Sequence, residues 1–152
     1  MTEEITVRNY RPADYPEICR IDAPMFSGMG GHVLFRHIEE LFGPLFFVAE
    51  KNGEIIGYVL GGIHLDNPKT GKLIRIGVSS DHQRQDCGTR LTTALFTRMR
   101  ELGVENVHLT VAEDNTAARN FYTKIGFTIA EERENYFYPD VFRLVLTKKL
   151  VE

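Results

Sequence analysis

The sequence predicts an α/β protein: a mixed, mostly antiparallel sheet of about seven strands, with a central parallel pair and about four flanking helices. Two observations support this. First, strand patterns follow one another directly at several places, which is typical of antiparallel neighbours. Second, one strand–helix–strand unit spans residues 73 to 111. Such a unit makes its two strands parallel neighbours through a right-handed crossover.

The first quarter of the chain contains one strand and two helices. Residues 5–9 have a short strand pattern, and Pro12 suits the first turn of a helix because its missing N–H costs nothing there. This helix is expected to end at about residue 21. A second helix is predicted from about residue 31 to 42. The glycine-rich segment 25–31 between them predicts a mobile loop.

The middle of the chain begins with a hairpin. Residues 45–49 and 55–63 are rich in β-forming side chains, and the Asn52-Gly53 pair between them is a strong signal for a tight turn. Residues 73–78 predict a further strand.

An amphipathic helix is predicted from residue 87 to 102, because its apolar residues recur at helical spacing. They are Leu91, Ala94, Leu95, Met99 and Leu102. Gly103 is expected to end this helix, and residues 107–111 form the next strand.

The last quarter of the chain contains a short helix and two strands. Asn115 is expected to cap the helix and Gly126 to end it. Residues 129–137 and 141–146 then predict the last two strands.

Composition bounds the function. The 152 residues have the length of one domain, expected to span residues 1–152. The net charge of −3 does not favour a nucleic-acid partner, and the absence of an apolar run near 18 residues excludes a predicted membrane span. The two cysteines form no disulfide framework, and no metal-ligand spacing is present. The acidic start of the chain does not resemble a signal peptide, so a cytoplasmic location is expected.

The segment from Val78 to Leu91 lies between a predicted strand and a predicted helix, and it is polar with one glycine. Free backbone N–H groups at a helix start, together with the positive end of the helix dipole, suit a pyrophosphate. Many strand–helix loops are polar, so this pattern alone leaves a purely structural interpretation equally open.

A second segment changes that balance. It has Asn115, Ala118, Phe121-Tyr122 and Gly126-Phe127 at fixed spacing. Together the two segments resemble the GNAT superfamily of acetyl-CoA-dependent N-acyltransferases. The run from Gln83 to Gly88 resembles that family's acyl-CoA loop, and the second segment resembles its Asn-x-x-Ala-x-x-Phe-Tyr-x-x-x-Gly-Phe motif. The order of strands also fits, so the resemblance implies a GNAT-like fold over nearly the whole chain.

The resemblance implies a cofactor site for acetyl-CoA and no metal. The residues expected to contact the cofactor are Ile76, Gly77, Val78, Gln83, Arg84, Gln85, Asp86, Cys87, Gly88, Thr89, Asn115, Ala118 and Phe121. Asp86 departs from the family pattern, which has glycine there. Either its carboxylate points away from the pyrophosphate, or it weakens cofactor binding.

By the same resemblance, Tyr122 is the catalytic acid that protonates the leaving thiolate of CoA. The family position for a base is occupied here by Thr110, which cannot act as one. Glu113, His64, His108 and Asp66 stay open as bases, and so does a mechanism without a base. In isolation, Tyr122 is better explained as a core aromatic on an amphipathic helix, and it is the motif around it that favours the acid role.

The acceptor is expected to be a primary amine of a small molecule or of a peptide N-terminus. Phe26, Tyr136 and Tyr138 are the residues expected to contact it, because the aromatic turn 136–139 resembles a turn that forms the acceptor site in protein N-terminal acetyltransferases. The sequence leaves open a non-catalytic acyl-CoA-binding module, which Asp86 and the missing base favour. It also leaves a homodimer open.

Overall fold

The computed structural model describes residues 4–26, 30–83 and 86–152. The described residues form seven strands and four α-helices in the predicted order. The strands are β1 (Thr6–Asn9), β2 (Phe46–Lys51), β3 (Glu54–Ile63), β4 (Thr70–Val78), β5 (Asn106–Ala112), β6 (Thr128–Arg133) and β7 (Arg143–Lys149). The helices are α1 (Tyr15–Met25), α2 (Gly31–Leu41), α3 (Cys87–Glu101) and α4 (Thr116–Lys124).

One twisted sheet contains all seven strands in the order β1-β2-β3-β4-β5-β7-β6. Every neighbouring pair is antiparallel except β4 and β5, which are parallel. The helix α3 makes the crossover between these two strands. The predicted fold class, including the central parallel pair, is therefore confirmed.

Helices cover the two faces of the sheet and create two apolar cores. On one face α3 packs over β2, β3 and β4, with Leu91, Leu95 and Met99 fully buried. On the other face α1 and α2 pack over β2 and β3 through Ile18 and Phe35. Strands β2 and β3 carry the longest buried runs because helices cover both of their faces.

The residues that the sequence predicts at a tight turn and at two helix ends adopt the backbone conformations expected there. Asn52 and Gly53 both adopt positive φ, +56° and +76°, as the tight turn between β2 and β3 requires. Gly103 and Gly126 likewise adopt φ of +91° and +103° after α3 and α4.

Several predicted boundaries were wrong: β4 begins at Thr70 instead of residue 73, and β7 spans Arg143–Lys149 instead of 141–146. The first helix begins at Tyr15 after a 3₁₀ turn at Pro12–Asp14, and it continues to Met25 because its buried stripe extends to Asp22. The strand predicted over 129–137 ends at Arg133. There Asn135 adopts φ +53° and its side-chain oxygen accepts the Asp140 N–H at 2.6 Å, which closes a loop instead of extending the strand.

Candidate functional site

The two parallel strands pair only at their beginnings. Thr70, Gly71 and Lys72 of β4 pair with residues 106–108 of β5. Beyond this point β4 continues to pair with β3 on one side, and β5 continues to pair with β7 on the other. The facing edges of the two strands therefore separate toward their carboxyl ends. Their backbone groups there are left for water or a ligand, because buried backbone groups need a partner.

A cleft of about 450 Å³ fills this gap, and we call it the inter-strand cleft. Its walls are residues 74–78 of β4 and 110–112 of β5. The remaining lining side chains come from α4, from loops and from the start of β7, and they are Gln83, Asn115, Ala117, Ala118, Phe121, Tyr122, Phe26, Phe137 and Arg143. Of the residues predicted to contact the cofactor, the structure brings together here Ile76, Gly77, Val78, Gln83, Asn115, Ala118 and Phe121.

Among the described residues, no side chain caps the start of α3. Its N-cap residue, Asp86, adopts φ +62°, and the carboxylate makes no capping hydrogen bond. The Arg90 N–H donates to the Asp86 carbonyl at 3.0 Å, so the N–H groups of residues 87–89 precede the first helical bond. Arg84 and Gln85 lie outside the described residues.

Cys87 can offer its backbone N–H group to a ligand, but not its thiol. Its thiol is buried, and burial raises its pKa to about 11, so it stays neutral at physiological pH.

The start of α4 differs, because its cap is already filled. The Asn115 side-chain oxygen accepts the Ala118 N–H at 3.2 Å. The start of α3 also touches the body of α4: a Cβ added at Gly88 would lie 3.1 Å from the Phe121 ring. Glycine at position 88 therefore lets α3 approach α4, which couples the two sequence motifs in space.

Tyr122 lies on the wall of the inter-strand cleft with only 8% of its surface exposed. Its ring packs edge-to-face on Phe127, with centroids 5.7 Å apart. Burial raises the pKa of Tyr122 to about 12, against the opposing charge of Arg143. The phenol is therefore protonated throughout the neutral pH range and is a permanent hydrogen-bond donor.

A second cleft, of about 520 Å³, lies on the α1–α2 side of the sheet, and we call it the loop cleft. It is bordered by Gly30 and Leu34 at α2 and by Phe137 and Tyr138 in the β6–β7 loop. Lys72 and Leu73 of β4 complete its wall. Five residues line both clefts, namely Ile74, Arg75, Thr110, Phe137 and Arg143. The two clefts therefore meet at the splayed strands.

The structure separates the three predicted acceptor residues. Tyr138 lines the loop cleft and is 58% exposed, whereas Phe26 lines the inter-strand cleft. Tyr136 lines neither cleft, and its hydroxyl accepts a hydrogen bond from Lys72 Nζ at 3.0 Å. The neighbouring Phe137, which sequence reasoning missed, lines both.

The junction of the clefts contains a buried charge network that sequence reasoning also missed. The Asp22 carboxylate accepts a hydrogen bond from the Tyr58 hydroxyl, and it accepts from Arg75 Nη1 at 3.1 and 3.2 Å. Burial and Asp22 raise the pKa of Tyr58, so the phenol stays the donor. Arg75 in turn stacks on the Phe26 ring at 4.5 Å. An acidic residue on the apolar stripe of α1 was the available signal.

Arg143 is the other residue at the junction that the sequence did not single out. Its guanidinium donates to the Thr110 carbonyl at 2.9 Å and to Thr110 Oγ1 at 3.3 Å. It also lies 5.1 Å from the centroid of the Phe137 ring. Burial lowers the pKa of Arg143, so its charge is held at a desolvation cost.

None of the four residues left open as bases lines either cleft. Two of them, His64 and His108, contact each other instead, with their Nε2 atoms 2.7 Å apart. Burial lowers the pKa of His108 to about 4, helped by the charges of His64, Lys72 and Arg133.

Comparison with known proteins agrees with this geometry. Residues 15–127 match the acetyltransferase (GNAT) family. The chain belongs to the GNAT family of acetyltransferases. It is 30% identical over 146 residues to an N-alpha-acetyltransferase of Sulfurisphaera tokodaii, across 89% of this chain and 87% of the relative. The match to a mycothiol acetyltransferase of Nocardia farcinica is 32% identical over 83% of this chain, which spans only 46% of that relative.

The fold of the chain also matches the folds of other proteins whose structures have been solved. Ard1 from Thermoplasma volcanium superposes with a TM-score of 0.88 at 23% identity, over 97% of this chain and 99% of that one. Within the described part of the GNAT chain, no helix has both the length and the apolar character needed to cross a bilayer. The same residues include no cluster of three or more histidine, cysteine or acidic side chains placed to bind a metal ion.

Proposed function

We propose that the chain transfers the acetyl group of acetyl-CoA to a primary amine by direct attack within a ternary complex. The single observation that carries this proposal is the meeting of two clefts at the splayed strands, with Tyr122 on the wall of one of them. Acetyl-CoA, the donor used by GNAT acetyltransferases, occupies the inter-strand cleft, and the amine enters from the loop cleft.

The donor side is supported by three features of the inter-strand cleft. The unpaired edge of β4 offers backbone groups to an extended amide-containing arm, as an added strand would use them. The N–H groups at the start of α3 offer donors to a pyrophosphate. The apolar wall formed by Ala118 and Phe121 suits the methylene groups between these two ends.

The chemical step needs a proton at the sulfur. As the amine nitrogen bonds to the carbonyl carbon, the carbon–sulfur bond breaks and the thiolate leaves. Tyr122 donates its phenolic proton toward that sulfur, and the proton lost by the amine restores the phenol. Its pKa of about 12 keeps the donor loaded at neutral pH.

The amine reaches the junction without a general base in this proposal. Thr110 Oγ1 already accepts a hydrogen bond from Arg143, and a hydroxyl of this kind takes no proton at neutral pH. A peptide α-amine has a pKa of about 8, so a useful fraction is neutral under physiological conditions. An amine with a higher pKa would be almost fully protonated at neutral pH, and it would therefore be a poorer substrate for such a site.

The α-amine of a peptide is therefore the acceptor we propose first. The exposed aromatic surface of the β6–β7 loop beside the clefts suits it, because Phe137 and Tyr138 are 48% and 58% exposed. Exposed aromatics of this kind typically anchor a bound chain. The name of the Sulfurisphaera tokodaii relative also favours an α-amine.

A panel of peptides and small amines incubated with acetyl-CoA tests this proposal. Release of free thiol and mass spectrometry of the products would be recorded. We expect amine-dependent thiol release and an acetylated peptide α-amine. Acetyl-CoA binding without turnover of any amine would refute the transferase proposal and favour a binding module.

A further inference from the structure

The loop cleft has an excess of positive charge. Among the residues that the structure describes, three cationic side chains line it, Lys72, Arg75 and Arg143, and no aspartate or glutamate does. Arg75 is compensated by Asp22 at 3.1 Å. Over the whole chain the net charge is −3, so this local excess does not follow from the composition.

Lys72 and Arg143 make their hydrogen bonds to neutral oxygens. Lys72 Nζ donates to the Tyr136 hydroxyl, and Arg143 donates to the carbonyl and hydroxyl of Thr110. Among the described residues, neither forms an ion pair with a carboxylate. Both are only partly exposed. Partly buried charges are costly unless they are paired, so an anionic partner from outside the chain fits this site.

The neighbouring groups neither add much to this positive field nor cancel it. His108 lies opposite Lys72 in the register of β4 and β5, and its pKa is lowered by burial and by the charges of His64, Lys72 and Arg133, so it is neutral at physiological pH. Arg133 is paired with Glu131 at 2.6 Å, so it adds less than a free charge would. An anion bound beside Lys72 and Arg143 would therefore offset the charges of these two side chains.

From this arrangement we infer that the acceptor is an amine carrying a carboxylate close to the nitrogen, with Lys72 and Arg143 as the residues that select it. The inference rests on the proposed function and names the substrate class of that site. Arg143 lies at the junction of the clefts, whereas Lys72 lies only in the loop cleft. The carboxylate therefore belongs within about one residue of the amine, either on the first side chain of a peptide or as the carboxylate of a free amino acid.

Matched acceptors test the inference. Two peptides that differ only in their first residue, Asp or Asn, have nearly the same shape but differ by one charge. Free alanine and its α-amide make the corresponding comparison for the carboxylate of a free amino acid. Hydrogen bonds to charged groups contribute about 1.5–3 kcal/mol, so we expect kcat/KM to favour the Asp peptide about 10- to 100-fold. A preference confined to the free amino acid would identify that source instead.

Variants identify the side chain responsible. Lys72→Met should reduce the Asp-over-Asn preference at least severalfold, and Lys72→Arg should keep most of it. Lys149→Met is the matched control, because it also removes one positive charge but lies exposed at the end of β7 and lines neither cleft. The preference should also shrink in high salt, which screens charge interactions.

Binding measured separately from turnover distinguishes the two proposals. The Asp and Asn peptides would be titrated calorimetrically into the protein saturated with CoA, which lacks the acetyl group. Tighter binding of the Asp peptide without turnover of any acceptor would uphold the charge selection and refute the transferase function. Equal affinities, or equal kcat/KM values, within both the peptide pair and the amino acid pair would overturn the inference.

Discussion

The inter-strand cleft and the loop cleft meet at the same splayed strands, yet they are built in different ways. Of the seventeen described residues that line the first, seven lie in the two motifs at residues 78–91 and 115–127, whereas no described residue lining the second lies in either motif. The second draws on α2, β4, β5, β7 and the β6–β7 loop. A donor common to a family can be held by fixed local motifs. The acceptor side is assembled from distant segments, which can vary independently.

The largest effect is expected at the wall of the inter-strand cleft. Tyr122→Phe keeps the buried ring but removes the proton donor, so kcat should fall by about 10²–10⁴. Steady-state kinetics would measure this, with acetyl-CoA affinity and melting temperature little changed. Tyr15→Phe removes a hydroxyl on α1 that lines neither cleft, and it should leave kcat unchanged. Near-full kcat in Tyr122→Phe, with chemistry shown to be rate-limiting, would reduce Tyr122 to a packing aromatic.

A substitution in the loop cleft should change the KM for the acceptor instead of kcat. Tyr138→Ala removes an exposed aromatic from this cleft, and we expect the acceptor KM to rise about 5- to 20-fold while acetyl-CoA affinity is retained. Phe142→Ala is a matched control, since Phe142 is exposed in the same loop but lines neither cleft. Equal losses of affinity for acceptor and donor would indicate a folding defect and contradict the division of roles.

Tyr136→Ala should have an acceptor effect of a different origin. Tyr136 lines neither cleft, but its hydroxyl holds Lys72 Nζ at 3.0 Å. Its loss should therefore raise KM mainly for acceptors that carry a carboxylate. A uniform rise for charged and neutral acceptors would show that Tyr136 does not act through Lys72.

The mouth of the inter-strand cleft offers a smaller test. Asp86→Gly removes a carboxylate from the start of α3 and should tighten acetyl-CoA binding by about 1 kcal/mol, roughly fivefold, with the gain fading at high salt. Asp140→Gly is the matched control, because Asp140 also has φ +62° but lies in the β6–β7 loop. Unchanged affinity in Asp86→Gly would show that the carboxylate points away from the pyrophosphate.

The smallest expected effect is on the pH dependence of stability, through the lowered pKa of His108 beside the loop cleft. Because the folded-state pKa of His108 is about 4 rather than 6.5, the unfolded chain binds a proton there between these pH values and the folded chain does not. The His108 contribution to stability therefore rises with pH between about 4 and 6.5. In His108→Gln, the free energy of unfolding measured with denaturant should increase less steeply with pH between about 4 and 6.5. Identical slopes in the two proteins would contradict the lowered pKa.

The contrast between the clefts also explains what the sequence could predict. The β2–β3 turn followed from Asn52-Gly53, and the start of α4 followed from Asn115, because each depends on neighbours within a few residues. The order of strands and helices along the chain followed from the alternation of their sequence patterns. The end of β6 was missed because it depends on the Asn135–Asp140 contact and not on the β-forming side chains before it.

The acceptor side depends on contacts that no local pattern encodes. Arg75 and Asp22 are 53 residues apart in sequence, and Arg143 and Thr110 are 33 apart. Lys72 and Tyr136 meet only after the β6–β7 loop closes over β4. The sequence named Tyr136 and Tyr138 through the family resemblance, but it gave no signal for the cations beside them.

Hydrogen exchange measured by mass spectrometry, on the free protein and with saturating acetyl-CoA, tests the division between the two clefts most directly. Acetyl-CoA should slow exchange in residues 74–78 of β4 and 87–89 of α3, while residues 138–142 of the β6–β7 loop, which do not line the inter-strand cleft, stay unchanged until an amine acceptor is added. Absence of protection in β4 and α3 at millimolar acetyl-CoA, or protection confined to the β6–β7 loop, would contradict the assignment of the inter-strand cleft to the donor.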